Sequence, residues 1–528
     1  MDETPRNKSG WRILRRVLIT LAILATLIAI FYTEEDWRGK RAWENCKREL
    51  EAKGAVLDWD KFIPPPMPDD QNFFKAPIFA GLSNGNWDES AHMWQRNTNV
   101  VDRLRMNIYG KGNSVASPNV GYWVKETNTD LGAWQQYYRA LGMKTNEFPV
   151  APQPQTPATD VLLALSKYNS AIEELRQAGQ RPDSWLPLDY ENRVKAAGEM
   201  LQYLADMKSC VQVLQLRAIA ELQNDEGEKA VEDIKLMLRL DDSLRTEPYL
   251  ISYLVRIAMT SITLQPVYEG LAKHWWTDAQ LAELEQALAK LDFLKDFQFV
   301  ERGDGMGGIA MFDYFRRHRG EFVRLLFEEA RFKNQIENKN SAWAEVGNVA
   351  GIISVYLMPA GWFYQNKLAL AQMHQRWDSR MMDAEQRLVF PGIIEQAGGS
   401  SVAALRAKPW NLFEGDLWPA ISATATRTAR IQVEVDLART ACALERCRLA
   451  QGEYPESLDV LTPQFIKKVP NDIFGGQPLH YRRTDDGRFL LYSIGWNEKD
   501  DGGVFSYPQW SSSPRFEQGD WVWQYPAK

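Results

Sequence analysis

The sequence is poor in the residues that build metal and redox centres. It has 5 His and 4 Cys among 528 residues. The histidines are far apart and form no His-Glu-x-x-His motif, and no two cysteines stand in Cys-x-x-Cys spacing. These absences argue against a histidine metal site, a zinc ribbon and a thioredoxin-type site.

The sequence also lacks an excess of positive charge. Its 62 Lys and Arg residues stand against 69 Asp and Glu residues, which gives a net charge of −7. No basic patch is interleaved with aromatic residues, and the 20 tryptophans are scattered, so we expect them in cores and domain seams. A nucleic-acid partner is therefore not expected.

The four cysteines leave two alternatives open. Cys442 and Cys447 lie on one predicted helix but point to different faces, so they should not pair with each other. An oxidising compartment would permit a disulfide between Cys46 and Cys210. The alternative is four unpaired, mostly buried thiols.

An apolar stretch at residues 13–32 is the most prominent feature that is present. From Val17 to Tyr32 no residue is charged, and the stretch approaches the roughly 20 residues of a transmembrane helix. Apolar side chains surround the whole helix, unlike a core helix with one buried face. No small-x-small cleavage site follows Ile30. We therefore predict a retained signal-anchor helix in place of a cleaved signal peptide.

The charges beside the anchor indicate an orientation. Lys and Arg residues are equally numerous on the two sides, but three arginines (Arg12, Arg15 and Arg16) flank the start of the helix and Glu34, Glu35 and Asp36 follow its end. This asymmetry favours a cytoplasmic tail at residues 1–12. In a bacterium, it predicts a single-pass inner-membrane protein with its C-terminal part in the periplasm.

The remaining chain divides by its patterning into four predicted parts. These are a juxtamembrane helix at 33–62, an irregular Pro/Gly-rich segment at 63–158 with short strands near 103–109 and 120–124, a helical domain at 159–426, and a small α+β domain at 427–528. The predicted fold class is mainly α, with a short antiparallel sheet in the last domain.

No motif along the chain selects a catalytic site. The segment Gly303–Gly308 is rich in glycine, but it lacks the Gly-Lys-Ser/Thr ending of a phosphate-binding loop and no strand precedes it. We expect it to be a flexible connection between helices. Acidic residues are abundant enough to supply a carboxylate pair for acid–base chemistry, but the sequence does not indicate which ones.

The most specific pattern lies in the last hundred residues. A predicted helix ends at Gly452 and is followed by Tyr454-Pro455, a proline-acid-aromatic-glycine turn near Asp472, a strand ending at Gly495, and a carboxylate-rich loop. This succession resembles the globular head of the major pseudopilins of type II secretion systems. No Gly-Phe-x-x-x-Glu cleavage motif precedes the apolar helix, so the resemblance implies a reused head domain rather than a pilus subunit.

The resemblance also implies a metal site. In that family the loop binds calcium, which makes Asp500 and Asp501 the implied ligands here, with Asn497 and backbone carbonyls. Calcium takes several oxygens at about 2.4 Å from a flexible loop. The alternative is a solvated Asp-Asp-Gly-Gly turn.

Three functions are compatible with these observations, and one of them is a calcium-responsive module. The leading hypothesis is a single-pass, membrane-anchored envelope protein that acts as a non-enzymatic scaffold. Its partners would be membrane lipid, through residues 13–32, and other envelope proteins. The whole chain also resembles uncharacterised membrane-anchored bacterial envelope proteins, which implies a location but no activity. The alternative is a membrane-tethered periplasmic hydrolase that uses an unidentified carboxylate pair.

Overall fold

The computed structural model describes residues 8–80, 86–88, 93–95, 103–110, 115–145, 147–190, 193–324, 355–376, 380–399, 414–505 and 518–523. The chain forms two compact units. The first comprises Met1–Lys61, Gly305–Arg376 and Gly398–Pro419, and the second comprises Phe62–Asp304, Trp377–Ala397 and Ala420–Lys528.

The described elements are mostly helices, which confirms the predicted fold class. The helices are α1 (Lys8–Ala52), α2 (Leu131–Thr145), α3 (Pro157–Leu165), α4 (Asn169–Gly179), α5 (Arg193–Gln223), α6 (Gly227–Asp242), α7 (Leu250–Ala272), α8 (Asp278–Leu288), α9 (Phe293–Arg317), α10 (Ala360–Arg376), α11 (Pro391–Gly399) and α12 (Glu414–Gln451). The strands are β1 (Asn86–Asp88), β2 (Met93–Gln95), β3 (Met382–Asp383), β4 (Leu388–Val389), β5 (His480–Arg483), β6 (Phe489–Ser493) and β7 (Trp521–Trp523).

Helix α1 dominates the first unit. It is one continuous helix that joins the predicted anchor to the predicted juxtamembrane helix. Apolar side chains between Trp11 and Phe31 are exposed on all sides, and the apolar stretch is long enough to cross a bilayer. After Glu34 the helix becomes amphipathic, and Trp43, Cys46 and Leu50 are buried. The predicted long apolar N-terminal helix is therefore confirmed.

Two glycines allow α1 and α10 to cross at very short range. A Cβ atom at Gly39 would overlap the carbonyl oxygen of Gly361, and one at Gly361 would overlap the carbonyl oxygen of Glu35. Further along, the Lys367 ammonium lies 2.6 Å from Asp313 and 4.4 Å from the ring centre of Trp43. The amphipathic part of α1 thus packs directly on α10.

The second unit has a core built mainly by helices. Helix α5 contacts α3, α6 and α7, and its side chains Leu214, Leu216 and Ile219 are fully buried. Helix α8 begins with a capping box, in which the Thr277 hydroxyl accepts from the Gln280 amide while the Gln280 side chain accepts from the Thr277 amide. It ends at Leu288, so Leu294 belongs to the next helix.

The C-terminal part of the second unit carries the predicted antiparallel sheet. Helix α12 ends at Gly452, which has a φ of +86°. Strand β6 lies between β5 and β7, with Leu491 opposite both Tyr481 and Trp523. The ring of Trp523 packs 5.1 Å from that of Trp123.

The prediction of a strand at residues 103–109 is wrong, although buried and exposed side chains do alternate there. Leu104, Met106 and Ile108 are buried in the core. The backbone of the segment pairs with no strand among the described residues. The Asn107 amide donates to the Tyr168 hydroxyl instead. Near residues 120–124 the second predicted strand is also wrong, because Trp123–Lys125 forms a 3₁₀ turn.

The glycine-rich segment Gly303–Gly308 is not the flexible connection that we expected. It lies inside α9. A Cβ atom at Gly303 would lie 2.6 Å from the Cβ of Pro248, and one at Gly305 would overlap the imidazole of His374. These glycines permit close packing on the sides of a helix, which explains the composition without a turn.

All four cysteines are free and buried. The structure therefore agrees with the alternative of four unpaired thiols and contains no bridge between Cys46 and Cys210. Burial raises the pKa of Cys210 and Cys442 above the ordinary thiol value. Such thiols are poor nucleophiles and poor metal ligands.

Candidate functional site

The three predicted metal ligands lie in one loop after β6. The Asn497 side-chain amide donates to Asp501 at 2.8 Å, and its oxygen accepts from the Lys499 amide at 3.1 Å. Asp500 accepts from the Gly502 amide and from the Tyr492 hydroxyl, each at 2.9 Å. These two donors hold the pKa of Asp500 below its ordinary value.

Two residues that the sequence reasoning missed support this loop. The His480 ring stacks on Tyr492 and lies 3.4 Å from Asp500. Asp520, just before β7, is fully buried and accepts from the amides of Gly503 and Asp501 at 2.7 and 3.3 Å. Burial raises the pKa of Asp520, while the two amides oppose that change. The feature of the sequence that could have indicated this role is that the acidic Asp520 directly precedes the last strand, β7.

The hydrogen bonds of the loop limit its capacity for calcium. Calcium prefers six to eight oxygen ligands, but Asp520 uses both oxygens to hold backbone amides. Over the described parts of the chain, no group of three or more His, Cys, Asp or Glu is arranged to hold a metal ion. Calcium would have to displace the bond between Asn497 and Asp501, so this site stays a prediction.

A cavity of about 400 Å³ among α6, α7, α8 and α9 has a different chemistry. Basic and acidic side chains line most of its wall, together with the apolar Leu238, Ala287 and Leu291. The charged residues are Lys235, Arg239, Arg245, Arg256, Lys290, Asp242 and Asp296. The cavity is of a size that small ligands occupy.

Arg256 is the buried centre of this cluster. Its guanidinium contacts Asp241 at 3.2 Å and Asp296 at 3.0 Å. Asp241 also accepts from the Thr260 hydroxyl. Burial opposes the charge on Arg256, but the two carboxylates raise its pKa above the ordinary value. Burial likewise raises the pKa of Asp241 to about 6, although Arg256 counteracts it.

One donor of this arginine is unsatisfied. Nη1 of Arg256 is buried and has no hydrogen-bond partner within the described ranges. An orphaned buried donor is costly, and a guanidinium matches the two oxygens of a carboxylate or phosphate. Arg256 is already paired with Asp241 and Asp296, so its unsatisfied donor marks a strained polar cluster beside the cavity. The feature of the sequence that could have indicated this cluster is Arg256, a single charged residue in the otherwise uncharged first half of α7.

The alternative of a hydrolase requires two carboxylates placed for acid–base chemistry. Glu221 and Asp233 are a neighbouring pair of buried carboxylates, and burial raises both pKa values, with repulsion from Asp233 adding to the rise at Glu221. However, Arg217 lies 3.0 Å from Glu221 and 3.1 Å from Asp233, and Arg176 pairs with Asp233. Neither carboxylate lines a cavity described here. The two carboxylates and their arginines join α4, α5 and α6.

Together, these features define a mainly helical protein with an apolar N-terminal helix long enough to span a membrane. Comparisons of the chain with family models, with curated proteins and with solved structures found no match. The likeness of residues 427–505 to a pseudopilin head therefore stays a prediction.

Proposed function

We propose that the protein is a single-pass inner-membrane protein of a bacterial envelope that acts as a non-enzymatic scaffold. Residues 13–32 anchor it in lipid, and the chain beyond them lies in the periplasm. The observation that carries this proposal is the surface of α1, whose apolar side chains from Trp11 to Phe31 are exposed on every side. Such a surface is costly in water and favourable in a bilayer.

The chemistry of the second unit supports a binding role over acid–base catalysis. The carboxylates that line its basic cavity contact arginines: Arg245 lies 2.9 Å from Asp296 and 4.0 Å from Asp242. Acid–base catalysis needs a carboxylate that can meet a proton of the substrate, whereas arginines engage both of these carboxylates. No specific contact among the described residues favours the hydrolase.

Orientation is testable because the native cysteines are buried. Met143 is 84% exposed, so a Met143→Cys variant offers a reactive thiol in the second unit. We expect a membrane-impermeant maleimide to label this variant in cells with a permeabilised outer membrane, with the parent chain as the control. Labelling only after the inner membrane is broken would contradict the periplasmic location.

Membrane attachment and scaffolding need separate tests. The full chain should remain in the membrane pellet after alkaline extraction, and recovery in the soluble fraction would contradict the anchor. For the scaffold, a photo-crosslinker at Val504, which is exposed in the C-terminal sheet region, should yield a discrete envelope adduct. The same crosslinker at Met143 is the matched control, and adducts at neither position would count against a scaffold.

A further inference from the structure

The first unit has a second apolar feature at the point where α1 leaves its apolar stretch. From Trp11 to Tyr32 the helix rises about 32 Å at 1.5 Å per residue, which matches the roughly 30 Å hydrocarbon core of a bilayer. Tyr32 therefore marks the level at which the chain leaves the lipid. The Tyr32 hydroxyl donates to the carbonyl oxygen of Leu357, so Leu357 lies at that same level.

Contacts one turn further along α1 fix the direction of this second segment. The Gly361 amide donates to Asp36 at 2.7 Å, and the Trp362 indole donates to Glu35 at 3.0 Å. The start of α10 therefore lies beside the first polar turn of α1. The residues just before α10 extend from there back to the level of Tyr32.

The exposed side chains of this segment are apolar and aromatic. Tyr356 is 53% exposed and Leu357 is 61% exposed, whereas their neighbours Val355 and Met358 are buried. Burial of the neighbours fixes the turn, so the two exposed side chains are held outward and cannot fold into the core. Together with the exposed apolar side chains of α1 they form a larger exposed apolar surface, and such surfaces mark sites that contact a partner or a membrane.

The surrounding residues are those that prefer the boundary between lipid and water. Arg319 donates to the carbonyl oxygen of Tyr356 at 2.7 Å, which brings a guanidinium next to the turn. Trp37, five residues after Tyr32 on α1, is 60% exposed. Tryptophan, tyrosine and arginine concentrate at the level of lipid headgroups, where each has an apolar body and a polar end.

We propose that the turn at Tyr356–Leu357 is a second membrane contact, which inserts its two side chains into the headgroup boundary beside α1. The occupant of this surface is the lipid bilayer, because the surface continues the lipid-facing surface of the anchor. The inference rests on the proposed anchor at residues 13–32. It adds that a segment distant in sequence fixes how the first unit sits on the bilayer.

The experiment measures depth in the full chain. Single cysteines at Leu357 and at Tyr356 carry an environment-sensitive NBD probe, and the protein is reconstituted into phosphatidylethanolamine–phosphatidylglycerol vesicles. A fraction of the lipid is spin-labelled, near the headgroup for the probes at Leu357, Tyr356 and Glu49, and along the acyl chain for the probe at Leu24. Leu24→Cys reports the anchor itself. Glu49→Cys is the matched control, because Glu49 is exposed on the same helix about 25 Å beyond Tyr32.

We expect spin-labelled lipid to reduce the emission of probes at Leu357 and Tyr356, and not of the probe at Glu49. If the probe at Leu24 is quenched while those at Leu357 and Tyr356 behave like that at Glu49, the second contact is wrong and the anchor stands. If the probe at Leu24 is also not quenched, both the anchor and the second contact are wrong. The two substituted positions are exposed, so the variants should fold normally.

Discussion

Helices α1 and α7 are both apolar and long enough to cross a bilayer, yet they have different surroundings. The apolar window of α1 is entirely exposed, whereas just over half of that of α7 is buried within the second unit. Helix α7 carries Arg256 and Glu269, and both find polar partners in the protein. Residues 17–32 of α1 carry no charge.

Apolar length alone therefore does not identify a membrane span. A charged residue within the stretch separates the two cases, because it requires partners that lipid does not supply. In α7 these partners are Asp241 and Asp296, from α6 and α9. A helix with such a charge and such partners is part of a protein core. Five substitutions test the properties of the two units.

The largest contrast between the two helices should come from one new charge in each of them. Leu24→Asp should lower the membrane-bound fraction after alkaline extraction, because an aspartate at the centre of a span costs about 2.5–3.5 kcal/mol. Its second unit should keep its stability. Met259→Asp buries an unpaired carboxyl at a fully buried position of α7, so it should unfold the second unit at a cost of several kcal/mol and leave the protein in the membrane. If Leu24→Asp destabilised the second unit and Met259→Asp released the protein from the membrane, α7 and not α1 would be the membrane span.

The next effect should come from Arg256→Met. It leaves Asp241 and Asp296 without their buried partner, which should lower the free energy of unfolding by about 3–5 kcal/mol. Denaturant unfolding of the full chain in detergent measures this loss. Arg245→Met is the control. Its side chain is 41% exposed, so it should cost at most about 1 kcal/mol. Equal losses in the two variants would contradict a special role for Arg256.

A pH effect should come from Glu247, which is fully buried between α6 and α7. Burial raises its pKa to about 7, although the Leu186 amide and the Tyr190 hydroxyl oppose the change. In the unfolded chain its pKa is about 4.3, so between these values the folded state holds the extra proton. Stability should therefore fall as pH rises through this window.

The test compares the parent chain with Glu247→Gln, which keeps the shape and removes the titration. From about pH 4.5 to about pH 7.5, the parent should lose about 3 kcal/mol relative to the variant. Unfolding curves at several pH values measure the difference. Parallel pH profiles for the two chains would show that Glu247 does not titrate in this range.

The smallest effect should come from Gly361→Ala, which tests the packing of the amphipathic part of α1. The new methyl group would overlap the backbone of Glu35, and forced separation of packed helices costs about 1–3 kcal/mol. Faster amide exchange in residues 33–52 would report it. Gly392→Ala is the control, since the nearest atom there is 4.0 Å away. Unchanged exchange in the Gly361 variant would argue against close helix packing.

Features that depend on neighbouring residues were predictable from the sequence. The apolar run of α1, the capping box at Thr277 and the stop of α12 at Gly452 each depend on a few consecutive residues. Features that depend on tertiary contacts could not be predicted from the sequence. The glycines of α9 are explained by the close approach of Pro248 and His374. No residue near these glycines in the sequence distinguishes close packing from a flexible loop.

The same limit applies to the candidate sites. Asn497, Asp500 and Asp501 are neighbours in the chain, so their proximity was predictable, whereas the supporting role of Asp520 requires the closing strand. The cluster around Arg256 joins residues from three helices, so their contact could not be found from spacing. A lone charge in an apolar helix indicates that partners exist, but it does not name them.

The uninterrupted course of α1 has a mechanical consequence. The helix continues for 20 residues beyond Tyr32 to Ala52, which is a length of about 30 Å. A bilayer that thins or thickens changes the tilt of a spanning helix. Because α1 has no break near Tyr32, a change of about 10° in its tilt would move Ala52 by about 5 Å. The first unit would thus convert the thickness of the membrane into a displacement.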